Sequence, residues 1–81
     1  MVYSATTIGI VIRCLRKKNG LSQEVLSGLA CIARSHLAMI ETGAKAANVE
    51  TLAKIADALG LPLSTFFLQV EQTENAPPIE K

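Results

Sequence analysis

The chain has 81 residues, of which 49% are hydrophobic and only 19% charged, and its formal net charge is +1. That length allows one domain with one small core, and a domain of this size buries only about 60% of its unfolded surface, so part of its apolar surface is expected to be covered by a second chain. The charge gives no nucleic-acid signature, the apolar run Ile8–Ile12 is far short of the roughly 20 residues of a membrane span, and two cysteines with one histidine make no zinc set.

The charge is unevenly spread. Residues 1–70 carry seven Lys/Arg against four acids, a net of +3, while residues 71–81 carry three Glu against Lys81, a net of −2. A mildly basic globule (1–70) with a disordered acidic tail (71–81) is therefore expected. The N-terminus lacks the basic start and long apolar core of a secretory signal. A cytoplasmic protein is expected, with no membrane partner, and with Cys14 and Cys31 as reduced thiols, a disulfide being the alternative.

Residues 1–6 read as an unpaired leader, and Thr7 suits an N-cap. Ile8, Val11, Ile12 and Leu15 follow at helical spacing, and Lys17, Lys18 and Asn19-Gly20 supply a cationic last turn and a stop, giving a first helix over 7–18. Ser22 caps a second helix, whose apolar residues are Val25, Leu26, Leu29 and Ala30. After a break at 30–33, a third helix runs from Ala33 to Glu41 and buries Ala33, Leu37 and Ile40. Asn48 caps a fourth helix with the stripe Val49, Leu52, Ile55, Ala56, Leu59, ended by Gly60. Pro62 and Ser64 both suit the start of a fifth, which contains Phe66, Phe67, Leu68 and Val70. The fold class is all-α, five short helices around one core.

The second and third helices carry the functional signal. Between the buried positions of the third lies a strip of Arg34, Ser35, Ala38, Met39 and Thr42 that faces solvent. A short helix with a small, mixed outward strip suits insertion into a groove. The sequence shows no Ser/His/Asp set, no glycine-rich phosphate loop and no carboxylate pair, so neither an enzyme nor a cofactor or metal site is expected. Backbone N–H groups at the start of the second helix form an anion site, and an α-helix fits the major groove, where Arg can donate two bonds to guanine.

The pattern Ile12-Arg-x-Leu15-Arg16-Lys17, Gly20-Leu-Ser-Gln-Glu24, Leu26, Ala30, Ile32, Leu37, Ile40-Glu41-x-Gly43 and Leu52-x-x-Ile55-Ala56-x-Ala58-Leu59-Gly60 resembles the lambda-repressor-like helix-turn-helix domain of small bacterial and phage regulators, in its Cro/repressor type. The match covers about residues 8–68. The resemblance implies that Gln23 contacts a phosphate and braces the recognition helix, and that Arg34, Ser35 and Met39 reach base edges. It implies that Thr42 and Lys45 touch the DNA backbone, and that Arg16 and Glu41 pair to tie the first helix to the end of the third. His36 is a candidate phosphate donor, with a pH sensor or a plain half-buried histidine as alternatives. One or two of Arg13, Arg16, Lys17 and Lys18 are expected to touch DNA. Five positions depart from the family pattern: Cys31 replaces the usual turn Gly, Ala33 the cap Ser, Ala46-Ala47 the loop Asn-Pro, and Ala38 a polar residue. Cys31 is read by default as a small buried thiol.

The fifth helix has more apolar residues than one face of a small core needs. Phe67 is expected to close the core, and Leu61, Leu63, Phe66, Leu68 and Val70 to form a homodimer interface. The resulting expectation is a transcriptional regulator, a homodimer on a palindromic operator in double-stranded DNA, with half-sites roughly 34 Å apart. Promoter blocking, autoregulation or RNA polymerase contact would be its mode of action. Restriction–modification controllers, Cro-like repressors and antitoxins share this size and layout, and a protein-interaction module on the same fold is the competing class.

Overall fold

The computed structural model describes residues 4–75, and all their regular secondary structure is helical: α1 (Ala5–Lys18), α2 (Gln23–Ala30), α3 (Arg34–Thr42), α4 (Val49–Ala58) and α5 (Leu63–Glu74). The first helix begins two residues before the expected start. Ser4, not Thr7, is its cap, and the Ser4 hydroxyl accepts from the backbone N–H of Thr6 and of Thr7. The expected leader is thus partly structure. The Ser4 N–H donates to Glu74 Oε2 at 2.8 Å, which ties the chain start to the last turn of α5.

Ser22 and Asn48 cap as their side chains require, accepting from Val25 N–H and Thr51 N–H. The fifth helix has no side-chain cap: Pro62 occupies the cap position, and Ser64 lies inside the first turn. The helix continues past Val70 to Glu74, so the expected tail boundary at residue 71 is not kept; residues 76–81 of that tail lie outside the described residues.

Three helix ends repeat one hydrogen-bond pattern. Leu21 N–H donates to Arg16 O and Gly20 N–H to Lys17 O; Ile32 pairs with Ser27 and Cys31 with Gly28; Leu61 pairs with Ala56 and Gly60 with Asp57. In each, a left-handed residue is followed by an apolar one, as a Schellman end requires. Gly20 (φ 70°) and Gly60 (φ 78°) reach this region without strain, whereas Cys31 reaches it (φ 59°) with a Cβ attached.

The core consists of Val11, Ile12, Leu15, Leu26, Ala30, Leu37, Ile40, Leu52, Ile55, Ala56, Leu59, Phe66 and Val70. In it α1 packs against α3 and α5, and α2 against α3 and α4. Several expected stripes prove too wide. Val25 and Leu29 of α2 are 48% and 58% exposed, and Val49 of α4 is 64% exposed. The inward face of α2 is instead Leu26, Ser27 and Ala30, with the Ser27 hydroxyl satisfied by Glu24 O.

The two phenylalanines exchange their expected roles. Phe66 and Val70, one turn apart, are fully buried, while Phe67 is half-buried and meets Phe66 edge-on with ring centroids 5.7 Å apart. Phe66 and Val70 therefore leave the expected interface set, because both point into the same core that α1 and α4 close. Leu68 is 52% exposed, and Leu61 and Leu63 are half-buried.

Candidate nucleic-acid interface

The site is built on α3 and held from behind by one buried polar cluster. Arg16 donates from Nε to Glu41 Oε2 at 2.7 Å and from Nη2 to Glu41 Oε1 at 3.0 Å, a two-pronged pair. Its third nitrogen, Nη1, donates to the Leu21 carbonyl at 2.9 Å. Gln23 Nε2 donates to Glu41 Oε1 at 3.1 Å. The end of α1, the start of α2 and the end of α3 are thereby fixed to one carboxylate. Hydrogen bonding to Glu41 raises the Arg16 pKa from its ordinary value, outweighing the opposing effect of burial.

Glycine lets α1 come this close. A Cβ at Gly9 would fall 2.6 Å from the Glu41 carbonyl oxygen, and closer still to that of Ile40. At the other end of the contact, a Cβ at Gly43 would lie 2.9 Å from Thr6 Oγ1 and 3.0 Å from Thr6 Cα. The one sequence signal for this seat is Gly9 itself, a glycine inside an apolar helical stripe, which marks close backbone approach.

On the opposite side of α3, Arg34, Ser35 and Met39 are exposed, Met39 by 41%, and Ala38 is half-buried. No side chain caps α3, since Ala33 stands at the cap position. His36 is half-buried. Thr42 is exposed at the helix end, where its hydroxyl donates to Met39 O at 3.1 Å and accepts from Ala44 N–H at 3.4 Å. Lys45 has an exposed side chain and a backbone N–H on Met39 O. Arg34, Ser35, Met39, Thr42 and Lys45 therefore share an open edge of the fold, while Gln23 stands where α2 meets it. Cys31, expected to be buried, is exposed in the turn between α2 and α3, and Cys14 is exposed on α1.

Beside this edge a hollow of about 150 Å³ is lined by Ala5, Ile8, Ile40, Lys45, Ala46 and Ala47, with Lys45 as its one titratable lining group. Such a lining offers no acid–base pair for a chemical step. Among the described residues, no single helix is long and apolar enough to cross a membrane.

Residues 12–66 match the family model described as Helix-turn-helix. No curated protein sequence matches the chain. Among solved structures, the chain is similar to the restriction–modification controller protein C.AhdI from Aeromonas hydrophila, with 32% identity over 78% of this chain and 96% of that one, at a TM-score of 0.75. It is also similar to the clp gene regulator ClgR from C. glutamicum (19% identity, 95% of this chain and 100% of that one, TM-score 0.83). A third is the restriction–modification controller protein C.Esp1396I, solved as a tetramer with its natural 35-base-pair operator (20% identity, 90% of this chain and 96% of that one, TM-score 0.82). The last two likenesses concern the fold. The matched residues span α2, the Cys31 turn, α3 and the Arg16–Glu41 brace behind them, and the chain belongs to the Cro/C1-type helix-turn-helix family.

Proposed function

We propose that this chain is a DNA-binding transcriptional regulator that acts as a homodimer on a palindromic operator. The observation that carries the reading is the two-sided construction of α3. Its inner side is locked to α1 and α2 through Glu41, and its outer side presents Arg34, Ser35 and Met39 to solvent. A helix held this way enters a major groove without reorganising, so little binding free energy is lost to ordering. Arg34 is the base reader, by paired donors to guanine O6 and N7; Met39 offers apolar contact to a thymine methyl. Thr42, Lys45 and Gln23 hold the backbone, with His36 beside them.

The dimer face is the outward side of α5 and the loop before it: Leu61, Leu63 and Leu68, with Phe67 taking the place of Phe66. The operator complex of C.Esp1396I, a protein of the same fold, supports DNA as the partner class. Action is by occupancy, whether by blocking a promoter, by autoregulation or by contact with RNA polymerase, with no chemical step and in the cytoplasm.

Binding to a mixed-sequence duplex, followed by fluorescence anisotropy against salt, tests the reading. Affinity is expected to fall steeply, with a slope near −0.9 per phosphate neutralised; a flat response would reject DNA as the partner. A protein-interaction module is the second reading, favoured by the exposed Val25 and Leu29 on α2. It would give that flat response.

A further inference from the structure

We propose that the hollow between α1, α3 and the loop after α3 binds a small apolar carboxylate, that its anionic end pairs with Lys45, and that this ligand weakens DNA binding. The ligand site stands on its own geometry, and its effect on DNA rests on the DNA-binding reading above.

The hollow, of about 150 Å³, is walled by Ala5 and Ile8 of α1, by Ile40 of α3 and by Lys45, Ala46 and Ala47 of the loop. Three of these six residues are alanines, whose methyl groups leave the space between the elements unfilled. Two of them, Ala46 and Ala47, stand where the loop departs from the family pattern. Lys45 and Ala46 are exposed, so the hollow opens to solvent along the loop, while Ile40 is buried.

The walls are fixed before any ligand arrives. The first helix is seated on the end of α3, where a Cβ at Gly9 would strike the Glu41 carbonyl and one at Gly43 would press on Thr6. The loop is tied back to α3 by Lys45 N–H on Met39 O at 3.3 Å and by Ala44 N–H on Thr42 Oγ1 at 3.4 Å. Immediately after Ala47, Asn48 caps α4. A ligand therefore meets preformed walls, which reduces the ordering cost of binding.

The lining selects the ligand. A cavity of about 150 Å³ with aliphatic and aromatic walls accommodates benzene, so a benzene-sized body matches this space. Lys45 is the one titratable lining group, it has no ion pair among the described residues, and no acid lines the hollow. An amine or a metal cation would meet only a like charge there, whereas a carboxylate is attracted to the ammonium. A single carboxylate on an aromatic ring or a branched aliphatic chain satisfies both features. The flexible stem of Lys45 lets its ammonium follow that carboxylate at the open side. An anion on Lys45 removes a charge that would otherwise meet a DNA phosphate, so ligand and duplex weaken one another's binding.

Benzoate is the probe, followed by backbone amide shifts of the full chain at constant ionic strength and without DNA. Benzyl alcohol, which keeps the ring and lacks the charge, and acetate, which keeps the charge and lacks the ring, are the controls. Benzoate should give saturable shifts at Ile8, Ile40, Lys45 and Ala47 with a Kd on the order of 1 mM, and each control should bind about tenfold more weakly. Lys45→Gln, at an exposed position outside the helices, should keep the wild-type melting temperature and weaken benzoate about tenfold. Ala47→Leu, which fills the hollow, should abolish the shifts. An absence of saturable benzoate shifts, acetate binding as tight as benzoate, or an unchanged benzoate affinity in Lys45→Gln would overturn the site. So would shifts that follow protein concentration and resist benzoate, which would make a second copy of the chain the occupant. In a separate titration onto a mixed-sequence duplex, saturating benzoate should weaken wild-type binding about 5-fold and leave Lys45→Gln unchanged. Benzoate that binds without this effect would overturn the regulatory half. A chain that binds no duplex would overturn the DNA-binding reading and the regulatory half together, while the first titration decides the ligand site.

Discussion

The Arg16 guanidinium grips the Glu41 carboxylate by two bonds, Nε to Oε2 at 2.7 Å and Nη2 to Oε1 at 3.0 Å, with side chains only 11% and 3% exposed. Both charges are largely desolvated, and neither leaves a buried nitrogen or oxygen without a partner, since Arg16 also donates to Leu21 O and Glu41 also accepts from Gln23 Nε2. The pair joins residues 25 positions apart in the chain and sets where the end of α3 lies relative to α1 and α2. Because Glu41 raises the Arg16 pKa above its unfolded value, the stability from this shift is fully present below the ordinary arginine range. It is lost only as pH rises beyond that range, so titration of Arg16 leaves stability unchanged across about pH 6 to 9.

Removing one partner leaves the other charge buried. Glu41→Ala is expected to destabilise the fold by about 3–5 kcal/mol. In a domain of this size each kcal/mol lowers the melting temperature by about 4–8 °C. Replacing both partners by apolar residues, as in Arg16→Met/Glu41→Leu, should cost less than Glu41→Ala alone. Thermal denaturation of the three proteins checks this, and a double variant less stable than the single one would contradict it.

In an exposed helix, Gly→Ala stabilises by about 1 kcal/mol. At Gly9 the sign reverses, because the new methyl would press on the carbonyls of Ile40 and Glu41. Gly9→Ala should lose about 1–3 kcal/mol by overpacking. Gly28→Ala is the matched control: nothing lies within 4 Å of its added Cβ, so it should gain stability. Urea unfolding of the pair shows whether the α1–α3 seat governs the difference.

The turn and the start of α3 can both be improved. Ala33→Ser should cap α3 and add about 1 kcal/mol. Cys31→Gly removes a side chain from the left-handed region, a relief of about 1–2 kcal/mol, partly offset by about 0.4–1 kcal/mol of added unfolded-state entropy. A net gain of a few tenths is expected in the same unfolding assay. Cys31→Val, β-branched at φ 59°, should be clearly destabilised.

Phe66 and Leu68 lie two residues apart on α5 and separate folding from assembly. Phe66 is fully buried, so Phe66→Asp should unfold the chain. Leu68 is 52% exposed, so Leu68→Asp should keep the helical circular dichroism and sediment as a monomer. A folded Leu68→Asp protein that stays dimeric would exclude this face as the interface.

Most of the architecture is legible in the residues. Ser22 and Asn48 cap where a hydroxyl or amide precedes an apolar stripe, and Gly20, Gly43 and Gly60 mark helix ends by their positive φ. The Arg16–Glu41 pair came from the family resemblance, and the structure forms it. The misreadings share a cause: helical spacing assigns a face but not its width. Val25, Leu29 and Val49 fit their stripes and remain outside because α2 and α4 bury only narrow faces. In the run Phe66-Phe67 either ring could have filled the core, and the choice depended on how α5 rotates against α1 and α4. Ser4 was hidden for another reason, since the Ser4–Glu74 bond links positions 70 apart in the chain. The outward strip of α3 follows by elimination from its apolar residues; Arg34, Ser35, Met39 and Thr42 are exposed in the structure, whereas Ala38 is half-buried.

The most direct measurement is a nuclear magnetic resonance titration of the labelled chain with duplex DNA, following backbone amides and the Arg34 side chain. The largest shifts are expected at Gln23, at residues 34–42 and at Lys45, and should vanish at high salt. In Arg34→Ala the pattern should persist with reduced preference for one base position. Shifts confined to Val25 and Leu29, or none at the outer strip of α3, would contradict α3 as the DNA reader.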